Sequence, residues 1–316
     1  MDPDLFLADL EEKPAALREL ATTLAADDPW AGLTRRISRV LLLGMGSSRI
    51  AAMPVAARLR AAGIDAVAEY ASAARLYPPD PWTLVVAVSA RGTTAEPIAA
   101  VAGYPRYAAV TNTPDSPLAK GAELVVPTQA GVERGGLASR SYLHALIMLE
   151  VLASRLIGDG RDLPGLCRRA ADAIEDLLDR RDSWLGPAVQ LLDSPDGFFA
   201  IAPAERISSA EQSALIVREG PHRRTDAGET GDWPHVDAYL TRTLDYRALF
   251  FPGSRYDDVA LGRLRESGST VVAVGAAPPG VGLAIRYRGD DDPQVRLLAE
   301  VLVGELVGTA WWSAAR

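Results

Sequence analysis

Arg39-Val40-Leu41-Leu42-Leu43-Gly44-Met45-Gly46-Ser47-Ser48 is the stretch on which the fold is read. Its first six residues form an apolar run closed by glycine, and the run lacks the polar alternation of a strand with one wet face. It predicts a strand buried on both faces of a parallel sheet. The Gly44–Ser48 turn then passes the chain to an alanine-rich helix over 50–62. The alternation continues with strands near 66–70, 83–89, 107–112 and 123–128, a helix starting near Thr93 and a long helix over 138–156. Upstream, residues 4–26 read as one amphipathic helix, with Leu5, Leu7, Leu10, Leu17, Leu20 and Leu24 on or near one face. Strands alternating with helices of this length predict parallel βαβ units with helices on both faces.

Ile157-Gly158-Asp159-Gly160-Arg161-Asp162-Leu163 is rich in glycine and aspartate and reads as a linker. Beyond it the pattern returns. Helices are expected over 164–178, 183–192, 208–219, 257–266 and 294–312, and strands over 197–202, 246–251, 269–274 and 284–287. With 316 residues, two domains are the natural division. The reading is 1–160 for the first and 161–316 for the second, each a five-stranded parallel α/β sandwich.

Hydrophobic residues make up 48% and charged residues 23% of the chain, an ordinary globular balance. No uninterrupted apolar run of membrane-span length is apparent, and Met1-Asp2-Pro3-Asp4 lacks the basic start of a signal peptide. One cysteine, Cys167, excludes an internal disulfide and fits a reducing compartment, so a cytoplasmic location with no membrane partner is expected. The formal charge of −8 speaks against a broad nucleic-acid-binding face. It leaves room for a small anion, because a local cluster of donors can outweigh the overall charge.

Two turns carry such donors. Gly44–Ser48 and Ser89-Ala90-Arg91-Gly92-Thr93-Thr94 both follow strands and precede helices, so their N–H groups and hydroxyls face whatever sits above a helix start. Taken singly, each is also an ordinary strand–helix turn with Ser or Thr as a cap. Gly44-Met45-Gly46 is a poor dinucleotide fingerprint, since Arg49 stands where the third glycine belongs, and no Gly-Lys-Ser/Thr follows to make a nucleotide P-loop. Two hydroxyl-rich turns on successive βα units predict an anion site at the carboxyl ends of the strands.

These loops, with Thr111-Asn112 and Glu133-Arg134-Gly135-Gly136-Leu137-Ala138-Ser139-Arg140, resemble a first sugar-isomerase (SIS) domain. The resemblance runs over nearly the whole chain. It is to the isomerase half of glucosamine-6-phosphate synthase, the fructosamine deglycases and the amino-sugar-phosphate isomerases. It implies two tandem SIS domains and a phosphorylated sugar or amino sugar as ligand. Ser48, Ser89 and Thr94 would hold the phosphate, with Gly46, Ser47, Arg91 and Thr93 in the same loops and the Ala138-Ser139 turn closing over the sugar. It also implies a homodimer whose site draws on both subunits, and no cofactor. Arg91 departs from the family, which usually has serine there; a guanidinium can clamp a phosphate bidentately or change the anion preferred.

In the second half the first strand ends in Ala202-Pro203-Ala204-Glu205-Arg206, which suits a structural domain better than a phosphate cradle. The helix ending at Glu219 and the Gly231-Asp232-Trp233-Pro234-His235 loop resemble those that carry the family's catalytic glutamate and histidine, and the interval between them matches. By that resemblance Glu219 moves a proton between adjacent carbons and His235 opens the sugar ring. Without it, they read as a helix-end acid and a loop histidine. Gln212 and Ile216 stand where the family has glutamate and lysine. No lysine follows Lys120, so a Schiff base with the protein is not expected, and no amidotransferase segment is seen to draw ammonia from glutamine. His144 reads as a core histidine, His222 as facing ligand or solvent, and no spacing suggests a metal site. The sequence therefore predicts a phosphosugar isomerase, or a deaminating or deglycating one. The alternative is a catalytically silent SIS sensor that regulates a partner.

Overall fold

A computed structural model describes residues 1–315. Its packing gathers into two compact units. One comprises Ala16–Glu133 and Ala138–Cys167; the other comprises Met1–Ala15, Arg134–Leu137 and the chain from Arg168 onward.

The chain opens with α1 (Pro3–Glu11) and α2 (Lys13–Ala26). The single helix expected over 4–26 is thus divided at Glu12, because Pro14, at the second position of α2, has no N–H to continue the ladder. In the first-sheet unit β1 (Arg39–Gly44), α3 (Ser47–Ala61), β2 (Asp65–Tyr70), β3 (Thr83–Val88), α4 (Ala95–Val101), β4 (Ala108–Thr111), the short α5 (Pro117–Lys120), β5 (Leu124–Pro127) and α6 (Arg140–Ile157) follow in order. The five strands are all parallel and lie in the order β2-β1-β3-β4-β5. Val40–Leu43 are at most 1% exposed, as a central strand covered on both faces requires.

The second-sheet unit continues with α7 (Leu163–Asp179), which begins before Arg168, then α8 (Arg181–Leu192), β6 (Phe198–Ala202), α9 (Ile207–Glu219), β7 (Thr225–Glu229), β8 (Arg247–Phe250), α10 (Asp257–Glu266), β9 (Thr270–Val274), β10 (Leu283–Ile285), α11 (Pro293–Ala299) and α12 (Val301–Ala314). Its strand order, β7-β6-β8-β9-β10, repeats that of the first sheet, and all its pairings are parallel. The expectation of two parallel five-stranded α/β sandwiches is met. β7 is not among the expected strands: Thr225-Asp226-Ala227-Gly228-Glu229 is polar and contains glycine, which an edge strand tolerates because only one side of it is paired.

The N-terminal segment packs in the second-sheet unit for a steric reason. Gly135 runs so close to α1 that an added Cβ would sit 2.4 Å from Phe6 Cα, and its N–H donates to Asp9 Oδ2 at 2.7 Å. Lys13 and Glu305 form a fully buried ion pair in the same unit. The core there includes Trp233, whose Nε1 donates to Tyr246 Oη at 2.7 Å, and Phe199 stacked on Tyr246 with centroids 4.2 Å apart.

The terminal helix expected over 294–312 is divided at Glu300. Contrary to the expectation that no segment reaches membrane-span length, Pro293–Ala314 is long and apolar enough to cross a bilayer. Yet 72% of that window is buried inside the protein, so its apolarity is that of a core element.

Candidate functional site

In the first sheet β1 connects outward to β2 on one side, while β3 leads to β4 and β5 on the other. The strand order therefore reverses between β1 and β3, and open α/β sheets bind ligands in the crevice above such a point. The two hydroxyl-rich turns flank it: Gly46, Ser47 and Ser48 follow β1 and open α3, while Ser89, Arg91, Thr93 and Thr94 lie between β3 and α4.

The second turn is held from within. Ser89 is buried; its Oγ donates to Thr94 Oγ1 at 3.2 Å and accepts from the Gly92 N–H at 3.2 Å. Gly92 has φ +61°, and a Cβ there would lie 2.0 Å from Ser116 Oγ, so only glycine fits. Thr111 Oγ1 donates to Ala90 O at 3.1 Å. Arg91 and Thr93 are exposed, Thr94 half-buried, and Ser47 and Ser48 half-buried at the start of α3. Arg49 rests its guanidinium on the Tyr70 ring, 4.3 Å from the centroid.

Ala138, half-buried, joins Ser47, Ser48, Ala90, Thr128 and Ser141 around a cavity of about 10 Å³, room for one water. Ser139 is fully buried, with its N–H donating to Glu133 Oε1 at 2.6 Å, while Ser141 Oγ donates to Glu133 Oε2 at 2.5 Å. The start of α6 is thus already occupied by a carboxylate of the chain, which satisfies its orphan donors and favours its dipole. Sequence reading quoted Glu133 within a motif without seeing this role. Asn112 ties the approach to that turn: its Oδ1 accepts from Thr128 Oγ1 at 3.0 Å and Ala130 N at 2.8 Å, and its Nδ2 donates to Gly131 O at 2.6 Å.

The corresponding crevice of the second sheet, between the ends of β6 and β8, is filled. Arg206 forms a buried ion pair with Glu300 and donates through Nη2 to Pro252 O at 2.5 Å. Arg296 donates to Pro252 O at 3.1 Å and Gly275 O at 3.0 Å, besides a bond to Asp290 O. Carbonyls at the ends of β8 and β9 are thereby saturated by guanidinium groups of the chain itself.

Glu219 ends α9 and is exposed; partial burial raises its pKa, opposed by the charge of Arg218. His235 is exposed beyond the carboxyl end of β7, on a cleft of about 530 Å³ shared with Glu229, Asp232, Tyr256 and Arg263. Glu229 Oε2 shapes this loop by accepting from Gly231 N at 2.8 Å and Asp232 N at 2.9 Å. Since β6 and β7 run parallel and α9 returns from the end of β6, Glu219 lies at the amino end of β7 and His235 beyond its carboxyl end. The five residues of β7 separate them by roughly 16 Å, so one chain does not bring them together.

His144 is fully buried, with Nδ1 2.9 Å from Thr128 O, as a core histidine. His222 is exposed, at φ +55°. Lys13 is consumed by Glu305, and Lys120 is exposed at the end of α5. Among the described residues no group of three or more His, Cys, Asp and Glu is placed to hold a metal ion.

No family model matches the chain. The glutamine–fructose-6-phosphate aminotransferase (isomerizing) of Aeropyrum pernix is 30% identical over 251 residues, 74% of this chain and 41% of that protein. The chain spans about half or less of the length of the curated relatives it matches first. The C-terminal domain of glucosamine-fructose-6-phosphate aminotransferase from Francisella tularensis superposes with a TM-score of 0.84 at 16% identity, over 99% of both chains. Tagatose-6-phosphate ketose/aldose isomerase from Escherichia coli gives 0.79 at 16% identity, over 97% of this chain and 92% of that one. The sequence relatives are isomerizing aminotransferases, and the fold is one that phosphosugar isomerases use.

Proposed function

We propose that the chain binds a phosphorylated sugar or amino sugar above the β1–β3 switch point and acts on it as an aldose–ketose isomerase or as a deaminating or deglycating isomerase. The observation that carries this reading is the pair of hydroxyl-bearing turns flanking that point, while the equivalent crevice of the second sheet is blocked by Arg206 and Arg296. The phosphate takes its bonds from Ser48, Ser89 and Thr94 and from the N–H groups that open α3 and α4. Arg91, exposed on the same turn, adds a fixed positive charge and two forked donors. The names of the Aeropyrum and Escherichia coli proteins support the substrate class.

In the proposed chemistry Glu219 removes the proton from the carbon beside the carbonyl, giving an enediol or, from an amino sugar, an enamine. Returning the proton to the neighbouring carbon, with a compensating shift between the heteroatoms, completes the isomerisation without net loss or gain of atoms. In the deaminating or deglycating case the product is an imine; water then adds to its carbon, the C–N bond breaks, and the amine leaves as the carbonyl forms. The upward shift of the Glu219 pKa makes its carboxylate a better base. His235 opens the ring beforehand. Because Glu219 and His235 sit at opposite ends of β7, the reading requires a homodimer in which a second copy completes the site.

The test is a thermal-shift screen of sugar phosphates with and without an amino group, followed by incubation of the binders in D2O. Wild type should place deuterium on the carbon next to the carbonyl. Glu219→Gln should bind as before and exchange about 10²–10⁴-fold more slowly. A tightly bound sugar phosphate that wild type neither converts nor exchanges would refute the isomerase and leave a sensor that regulates a partner.

A further inference from the structure

At the amino end of the first sheet, a cavity of about 270 Å³ opens between the segment leading into β3 and the segment leading into β4. Arg35, Asp80, Thr83, Tyr104 and Arg106 line it, together with three prolines. β3 is six residues long, so this cavity lies roughly 20 Å from the Ser89 turn at the other end of the same strand.

Its polar groups are arranged for an acceptor. Arg35 Nη1 donates to Pro81 O at 2.8 Å and Thr83 O at 3.1 Å, which fixes the guanidinium against the wall. Arg35 Nε is buried and has no hydrogen-bond partner in the structure. Thr83 is 4% exposed, and its Oγ1 is likewise buried without a partner. Buried polar atoms are seldom left unsatisfied, and two such atoms on residues that line one cavity point to a group that supplies oxygen acceptors. Arg106 is exposed at the rim. Two arginines and one aspartate are among the lining residues, and Asp80 Oδ1 already accepts from Trp82 N at 2.7 Å. The remaining wall is apolar and stiff: Tyr104 is anchored by a 2.5 Å bond from its hydroxyl to Tyr77 O, and the prolines have no N–H to offer.

We propose that this cavity binds a small organic anion, a carboxylate or phosphate monoester carried on a flat apolar body. The oxyanion lies between Arg106 and the Arg35–Thr83 donors, and the body lies against Tyr104 and the prolines. This site is separate from the phosphosugar site and does not depend on it.

Phenyl phosphate and benzoate serve as the two probes and benzyl alcohol as the uncharged comparator. Each is titrated into the full chain by calorimetry, with emission of the half-exposed Trp82, next to Pro81 and Thr83, as a local reporter. At least one anion should saturate below about 10 mM while benzyl alcohol does not, and whichever anion binds more tightly identifies the headgroup. Arg106→Gln, at an exposed position, and Thr83→Val should each raise its Kd about tenfold, whereas Ser89→Ala leaves it in place. Failure of both anions to saturate, equal binding of benzyl alcohol, or indifference to both cavity variants would overturn the proposal. Loss of binding in Ser89→Ala instead would do the same by moving the anion to the other end of the sheet.

Discussion

The blocked crevice of the second sheet makes its sharpest prediction through Arg206→Met. Methionine approximately fills the aliphatic volume but leaves Glu300, which is fully buried, without its paired charge. It also removes the donor to Pro252 O. Breaking a buried pair from one side costs about 3–5 kcal/mol, because the remaining charge keeps its desolvation penalty. For a unit of this size that is a fall in Tm of about 10 °C.

The pH dependence follows from the same pair. Burial pushes the Glu300 carboxyl up, against the opposing pull of Arg206 and Arg296. A carboxyl raised in the folded state contributes stability below its unfolded value of about 4.3 and loses it as pH rises through the folded value. Without Arg206 that value rises further, so the deficit of the variant should grow toward neutral pH and shrink on acidification. Urea unfolding followed by tryptophan emission is the assay, since four of the six tryptophans, Trp184, Trp233, Trp311 and Trp312, lie in this unit. Arg206→Met with Glu300→Gln should recover a large part of the loss. A single-variant loss below about 1 kcal/mol at neutral pH, or no recovery in the double variant, would refute the claim that this pair closes the crevice.

Three further outcomes are expected. Ser89→Ala should weaken a bound sugar phosphate by about 1.5–3 kcal/mol in a calorimetric titration, the loss expected if, as proposed, this hydroxyl turns to the charged group; unchanged affinity would move the phosphate elsewhere. Gly92→Ala should destabilise the first-sheet unit by at least about 1–3 kcal/mol in urea, through the positive φ and the contact with Ser116, and a neutral effect would mean the turn can relax. Sedimentation at micromolar concentration should show a dimer, and a stable monomer would leave Glu219 and His235 without a shared site.

How much of this was legible in sequence depended on the range of the interaction concerned. Arg39–Gly44 and Thr83–Val88 announced themselves because a strand covered on both faces must be apolar throughout, whatever surrounds it. The turns after them were legible for the same local reason: a strand feeding a helix needs small residues and exposes N–H groups at a known place. β7 carries no such signal because an edge strand can remain polar, and the division at Glu12 is hidden by a leucine pattern that continues past Pro14.

The candidate site divided along the same line. The turns that bear Ser48, Ser89 and Thr94 were legible from neighbours in the chain, and their assignment to a phosphate rests on resemblance, whereas the place of Glu133 is seen only in its carboxylate against the start of α6. The interval between Glu219 and His235 could be counted in sequence, but the strand between them, which holds them apart, could not. Arg206 and Glu300 are 94 residues apart, and each alone reads as an ordinary surface charge. Sequence determined the elements and their order, because backbone hydrogen bonding and side-chain periodicity act over a few residues. Tertiary structure decided how the crevice of the second sheet is filled, because a charge can be buried only where a distant partner meets it.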